Sequence, residues 1–340
     1  VFEEPTVIVL GAGASFEAGF PLGSGLLGRI SSSALSLTEQ FLSSEASKLY
    51  WEIMSNVPNS ERNEYWPKIQ EKLKKIVRAA QQAVSIDELV ADFDDDDELQ
   101  KLAKLLITYH ISLSETNNNV FGYSNGFRQK FDPSNFSNTF YYYLFRILKS
   151  DVSQNSLSSI FNNVSFINFN YDRSLEKYLV DAISEHWGQD LDETHRLVSE
   201  LEVFRPYGSL GKLPWQSGDA PEVDFGLLPE NHLLRTSTGI RTIHELTSED
   251  VYLQPAKERL RSACNIVFLG CAYHTRNLQI LSCLVRPDVK IYGTTFGLSS
   301  PDIAKAGRTI NQTFSFGGSV QFHPVECGTF MKEHVNAFAV

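Results

Sequence analysis

The stretch Thr6-Val7-Ile8-Val9-Leu10-Gly11-Ala12-Gly13-Ala14-Ser15-Phe16-Glu17-Ala18-Gly19-Phe20-Pro21 decides the fold class. Its first five residues are β-branched or apolar without polar alternation, which suits a strand covered on both faces in a parallel sheet between helical layers. Gly11-Ala12-Gly13 then permits positive φ and close backbone approach, so that amide N–H groups at the start of a helix can face a phosphate. On this loop alone two readings stand, a phosphate cradle and a tight strand-to-helix turn with no ligand. The fingerprint of ordinary dinucleotide-binding dehydrogenases is not met. Its third glycine would fall on Phe16, and no well-placed acidic residue follows a second strand to hold a ribose.

Working outward, short apolar runs recur at Val164–Phe169, Asn265–Leu269, Val289–Tyr292 and Val320–Phe322, and these are predicted to be further strands of the same sheet. Behind the polar turn Asn170-Tyr171-Asp172, the positions Leu175, Tyr178, Leu179, Ile183 and Trp187 repeat at helical spacing, with Ser174 near the helix start. Strand, turn and helix make one βα unit. Between about residues 25 and 150 the chain changes to helical segments without strand-like runs: Leu37–Met54, Tyr65–Val84, Ile86–Phe93, Leu99–Leu113 and Phe140–Leu148. The expected architecture is α/β, a Rossmann-like parallel sheet with helices on both faces over residues 1–24 and 151–340. A helical module inserted over 25–150 would form one wall of a cleft. Within it, Asp94–Asp97 reads as a solvated loop rather than a metal site, because consecutive carboxylates repel and diverge. Asn117–Asn119 reads as a loop.

Composition narrows the function classes. A chain of 340 residues with 42% apolar content can bury a substantial core. A formal charge of −11 argues against a surface for nucleic-acid backbones, so no duplex binding by this chain alone is expected. The four cysteines, Cys264, Cys271, Cys283 and Cys327, form no CxxC pair. Reduced thiols are therefore expected, and neither a disulfide framework nor zinc or any other metal site. No run approaches the roughly 18 apolar residues of a membrane span, and the N-terminus has no basic flank or small-residue cleavage site. The expectation is a soluble, cytoplasmic protein without membrane association.

Gly11-Ala12-Gly13-x-Ser15, followed by Gly19-Phe20-Pro21, resembles the GAGxS…GIP segment of sirtuins and SIR2-like domains. Three further segments fall in the family's order. Asn168-Phe169-Asn170-Tyr171-Asp172 resembles the loop that reads TQNID in sirtuins and often TNYD in the SIR2-like branch. Tyr207-Gly208-Ser209-Leu210 sits where the family has His-Gly-Ser-Leu, and Ile266–Gly270 with Cys271–Leu278 resembles the late strand and turn at the adenosine end. The match spans roughly residues 6 to 295, and four ordered motifs are far more specific than one. The resemblance is to the SIR2-like (sirtuin-related) NAD-binding family, closest to the branch that consumes NAD in bacterial antiphage defence.

That resemblance implies NAD as ligand or substrate. The first loop would contribute Gly11, Ala12, Gly13, Ser15, Phe20 and Pro21. Asn170, Tyr171 and Asp172 would come from the second motif, Gly208 and Ser209 from the third, and Gly270 and Cys271 from the fourth. In the family the bond between nicotinamide and ribose breaks, which needs polar groups aimed at ribose and carboxamide in a site with little water. Asn170 would orient the ribose or an attacking water, and Asp172 would accept from the carboxamide. Both residue types also cap helices, so a purely structural role before Ser174 stays open.

Tyr207 is the third catalytic candidate and the main departure. The family has a histidine there as general base, whereas a tyrosine with reference pKa near 10 donates a hydrogen bond but is a poor base. His232, His244 and His274 are the candidates for a displaced base, or else ordinary histidines. Deacylating sirtuins have a four-cysteine zinc module and an arginine soon after the GIP segment, but here Leu22, Gly23 and Ser24 follow Pro21. Ser85-Ile86-Asp87-Glu88-Leu89 is similar to a helical-module segment of the defence branch, or Ile86 and Leu89 are simply core positions. The implied activity is NAD glycohydrolysis to nicotinamide and ADP-ribose. A catalytically inactive NAD or ADP-ribose sensor is the alternative, and protein deacylation a distant third. Family habit further implies a homo-oligomer or a regulatory partner subunit.

Overall fold

The computed structural model describes residues 1–93, 95–124, 127–229, 232–241, 245–246 and 253–339. Six strands, Thr6–Leu10 (β1), Val164–Asn168 (β2), Val203–Phe204 (β3), Asn265–Leu269 (β4), Lys290–Thr294 (β5) and Gln321–His323 (β6), form one sheet in the order β3-β2-β1-β4-β5-β6. Every pairing in it is parallel. Leu10 pairs with Asn168 on one side and Leu269 on the other, so the three loops that follow leave the sheet at one level. The chain runs outward from β1 through β2 to β3 and then returns to β4 on the far side of β1. That reversal opens a crevice at the carboxyl ends of β1 and β4, where open α/β sheets take their ligands.

Strand alternation divides the core between the two faces. Val7, Val9, Ile266 and Phe268 pack toward helices Gly23–Ser36, Ser44–Met54, Arg62–Ala80, Ile86–Ala91, Asp97–Thr116, Gln254–Ser262 and Ser300–Phe314. Ile8, Leu10, Val267 and Leu269 pack toward Phe140–Leu148, Ser174–Trp187 and Cys327–Phe338. All five residues of β1, of β2 and of β4 are buried, and each large apolar side chain so covered contributes about 1.5–3 kcal/mol. The α/β architecture with helices on both faces is as expected.

Three elements depart from the sequence reading. Helix Gly23–Ser36 falls in a Gly- and Ser-rich stretch of poor propensity, but Leu26, Leu27, Ile30 and Ala34 bury one stripe and packing prevails. A two-stranded antiparallel ribbon, Tyr123–Ser124 with Phe127–Arg128, lies where no strand was expected, since two-residue strands leave no periodicity. Phe140–Leu148, expected to belong to the module over 25–150, packs on the opposite face of the sheet. There Tyr141 meets Phe136 and Tyr178 with ring centroids 6.0 and 5.3 Å away. Insertion helices on the first face end at Thr116.

Asp96, from the acidic run, accepts from Leu99 N at 3.1 Å as the cap of helix Asp97–Thr116 and from Lys72 Nζ at 2.6 Å, while Asp94 lies outside the described residues. Among the described residues no helix is long and apolar enough to cross a membrane.

Candidate functional site

A cleft of about 520 Å³ opens at the carboxyl ends of the central strands. Gly11, Ala12, Gly13, Ser15, Phe20 and Pro21 line it after β1, Asn170, Tyr171 and Asp172 after β2, and Gly270 and Cys271 after β4, together with Tyr207. Val84, Ser85, Ile86 and Ile111 close one side from the insertion. Exposed Phe16, Val84 and Phe296 rim the mouth with apolar surface on which a flat heterocycle can stack. Gly208 and Ser209 are not among the lining residues. Gly208 has φ 70°, and a Cβ there would stand 1.9 Å from Gly239 O, so it serves the packing of one loop on another.

The glycines are required by contact between the first and last loops. A Cβ on Gly11 would lie 2.6 Å from Gly270 O, and one on Gly270, where φ is +63°, would lie 2.1 Å from Ala14 N. Gly11 N–H donates to Leu269 O and Gly13 N–H to Gly270 O, each at 2.9 Å, so neither is available to a ligand. Ala12, Cys271 and Ala272 line the cleft, and their N–H groups carry no hydrogen bond among the described residues. No lysine or arginine is among the lining residues, which include Glu17, Asp172 and Glu326. A bound phosphate therefore has backbone amides, not side-chain cations, to meet it.

Asn170 is fixed by donating from Nδ2 to Gly11 O and to Ser15 Oγ, both at 2.9 Å. Because Gly11 O can only accept, the amide orientation is set and Oδ1 is left to accept from another group. Asp172 is buried; its Oδ1 accepts from Ser174 N at 3.1 Å and from the Ser174 hydroxyl. Burial pushes this carboxyl up, opposed by the Ser174 hydrogen bonds, by Arg205 and by Ser15. Asp172 thus lines the cleft and, from the residue before the helix cap, also holds Ser174 in the first turn. Arg205 Nη1 donates to the carbonyls of Asn170 and Asp172 at 2.9 Å, while its Nη2 takes both Glu176 oxygens at 2.8 Å.

Tyr207 is buried, and its hydroxyl acts as a hydrogen-bond donor, to Asn277 Oδ1 at 2.7 Å. Its ring stands 5.6 Å from Phe169 and 6.5 Å from Tyr171. Of the candidate histidines, His274 lines the cleft, His232 is exposed at the start of helix Leu233–Ser237, and His244 lies outside the described residues. Burial pushes the Cys271 thiol up to about 12, so it stays protonated and is no nucleophile. Among the described residues no group of three or more His, Cys, Asp or Glu could hold a metal ion.

Glu17, Arg205, Asn277 and Asn118 are the residues that sequence reasoning missed. Asn118 pins the turn at Gly19 by donating to Ala18 O at 2.8 Å. Their partners lie far off in sequence, and no local spacing marks them. Ser85 and Ile86 did carry a signal, the motif-like Ser85–Leu89 segment, and both reach the cleft. No protein-family model matches the chain, and no curated protein matches it.

Proposed function

We propose that the chain is a SIR2-like NAD-binding protein whose cleft hydrolyses NAD to nicotinamide and ADP-ribose. The reading is carried by convergence: three segments up to 260 residues apart in sequence, each read beforehand as part of a dinucleotide site, line one cleft at the switch point together with Tyr207. In it, Ala12, Cys271 and Ala272 offer N–H groups to the pyrophosphate, and the apolar rim offers faces to the bases. Asn170 Oδ1 accepts from a ribose hydroxyl or from the attacking water. The Asp172 carboxyl faces the carboxamide, and its burial keeps that interaction strong. Water adds at ribose C1′ as the bond to nicotinamide breaks, giving nicotinamide, ADP-ribose and one proton. The defence setting and a regulatory partner or homo-oligomer come from the family resemblance alone.

A second reading, binding of NAD or ADP-ribose without turnover, is favoured by one observation. The Tyr207 hydroxyl donates a hydrogen bond to Asn277 Oδ1, and a tyrosine is a poor base where the family has histidine. Nicotinamide release from NAD by purified protein, beside Asn170→Ala, separates the two. Turnover abolished by the substitution is the expected result; absence of turnover with ADP-ribose binding intact moves the assignment to a sensor.

A further inference from the structure

Helix Asp97–Thr116 reaches the site at two points one turn apart. Ile111 lines the cleft. Glu115, four residues on and therefore on the same face, is fully buried against Arg173, itself only 1% exposed. Glu115 Oε2 lies 2.6 Å from Arg173 Nη2, and Oε1 accepts from Arg173 Nε at 3.3 Å and from its backbone N–H at 3.4 Å. The guanidinium also donates to the carbonyls of Val223 and Asp224. Arg173 directly follows Asp172 and occupies the cap position of helix Ser174–Trp187.

Buried ion pairs are poor sources of stability compared with well-packed apolar groups, yet losing one partner strands a charge. What this pair does supply is position. Asn170 is held by Gly11 and Ser15, and Arg205 holds the loop carbonyls, all from the sheet domain. Glu115 adds a tie from the insertion, at the residue next to Asp172.

We infer that the Glu115–Arg173 pair makes the helical insertion a positioning element of the site, setting where the Asp172 carboxyl stands. A displacement of helix Asp97–Thr116, by ligand against Ile111 or by a protein docked on the insertion, then changes turnover. This rests on the NAD reading. Glu115 and Arg173 are positioning residues and touch no reacting atom.

The test compares nicotinamide release by Glu115→Gln, which removes the charge and keeps the shape, with Glu115→Asp, which keeps the charge. Glu115→Gln is expected to lower kcat about tenfold or more with KM within about twofold of wild type, and Glu115→Asp, which keeps the charge on a shorter side chain, to lower it only about threefold. Unchanged kcat in folded Glu115→Gln overturns the inference, as does a change confined to KM. Should Glu115→Gln not fold, Glu115→Asp decides alone: kcat lowered about threefold at constant KM supports positioning, and wild-type kcat overturns it. If the wild type releases no nicotinamide, the NAD reading fails separately. Amide exchange of ligand-free Glu115→Asp then judges the coupling: faster exchange at 170–176 with 265–278 unchanged keeps it, and unchanged exchange at 170–176 overturns it.

Discussion

At the scale of single residues, Gly270 shows how closely the loops beside the cleft pack. Its φ of +63° and the 2.1 Å approach of a would-be Cβ to Ala14 N leave no room for any side chain. Gly270→Ala is expected to destabilise the protein by about 3 kcal/mol or more, adding a backbone clash to left-handed strain, and to lower the thermal midpoint measurably. A midpoint unchanged from wild type would contradict the loop-on-loop packing. Gly11, Gly13 and Gly270 were legible in the sequence because glycine at a strand end has few physical explanations. What the sequence concealed was how the loop amides are used: the Gly11 and Gly13 N–H groups bond internally, whereas those of Ala12, Cys271 and Ala272 carry no hydrogen bond among the described residues. Arg205 was equally hidden, since its carbonyl partners lie more than 30 residues away.

Among elements, Glu17 joins three of them. Its carboxylate accepts from Phe140 N and Gly328 N at 2.8 Å, at the starts of helices Phe140–Leu148 and Cys327–Phe338, directly behind the glycine loop. Burial raises this carboxyl to about 7 against the backbone N–H groups of Gly328, Phe140 and Cys327 that lower it, with Glu326 adding to the rise. Tyr141 and Cys327 also interact with it. A folded-state value raised above the ordinary 4.5 means that the native state holds the proton longer. The contribution of Glu17 to stability is therefore fully present below about 4.5 and is lost as pH rises through about 7. His110 acts oppositely over an overlapping range, since burial lowers it to about 4 and its contribution is lost as pH falls. The useful observable is thus a difference. The thermal midpoint of Glu17→Gln minus that of wild type is expected to become more positive from pH 4.5 to 7 and to level off outside that range; a flat difference would contradict the assignment. Elements themselves were readable where burial is two-sided and the run is five residues long, as in β1 and β4. Helix Gly23–Ser36 was not, because tertiary packing of Leu26 and Ile30 overrides weak local propensity.

For the whole molecule, the strand order places three loops from distant parts of the sequence at one level beside the crevice. Motif order along the chain foretold which loops meet, but not that Gly208 and Ser209 turn toward Gly239 instead of the cleft. Long-range geometry also sets the surroundings of Tyr207, whose partner Asn277 comes from the other side of the switch point. If only a base is missing from an otherwise complete site, Tyr207→His is expected to raise nicotinamide release about a hundredfold. A rate within about twofold of wild type would mean that position 207 does not limit the reaction.

The cleft is proposed to bind the dinucleotide through its backbone amides, and calorimetric titration with ADP-ribose tests this without depending on turnover. Saturable binding at one site per chain, weakened about tenfold or more by Ala12→Asp through carboxylate–phosphate repulsion, is the expected result. Absence of binding heat at any accessible concentration, with NAD equally silent, or binding indifferent to Ala12→Asp, would contradict it.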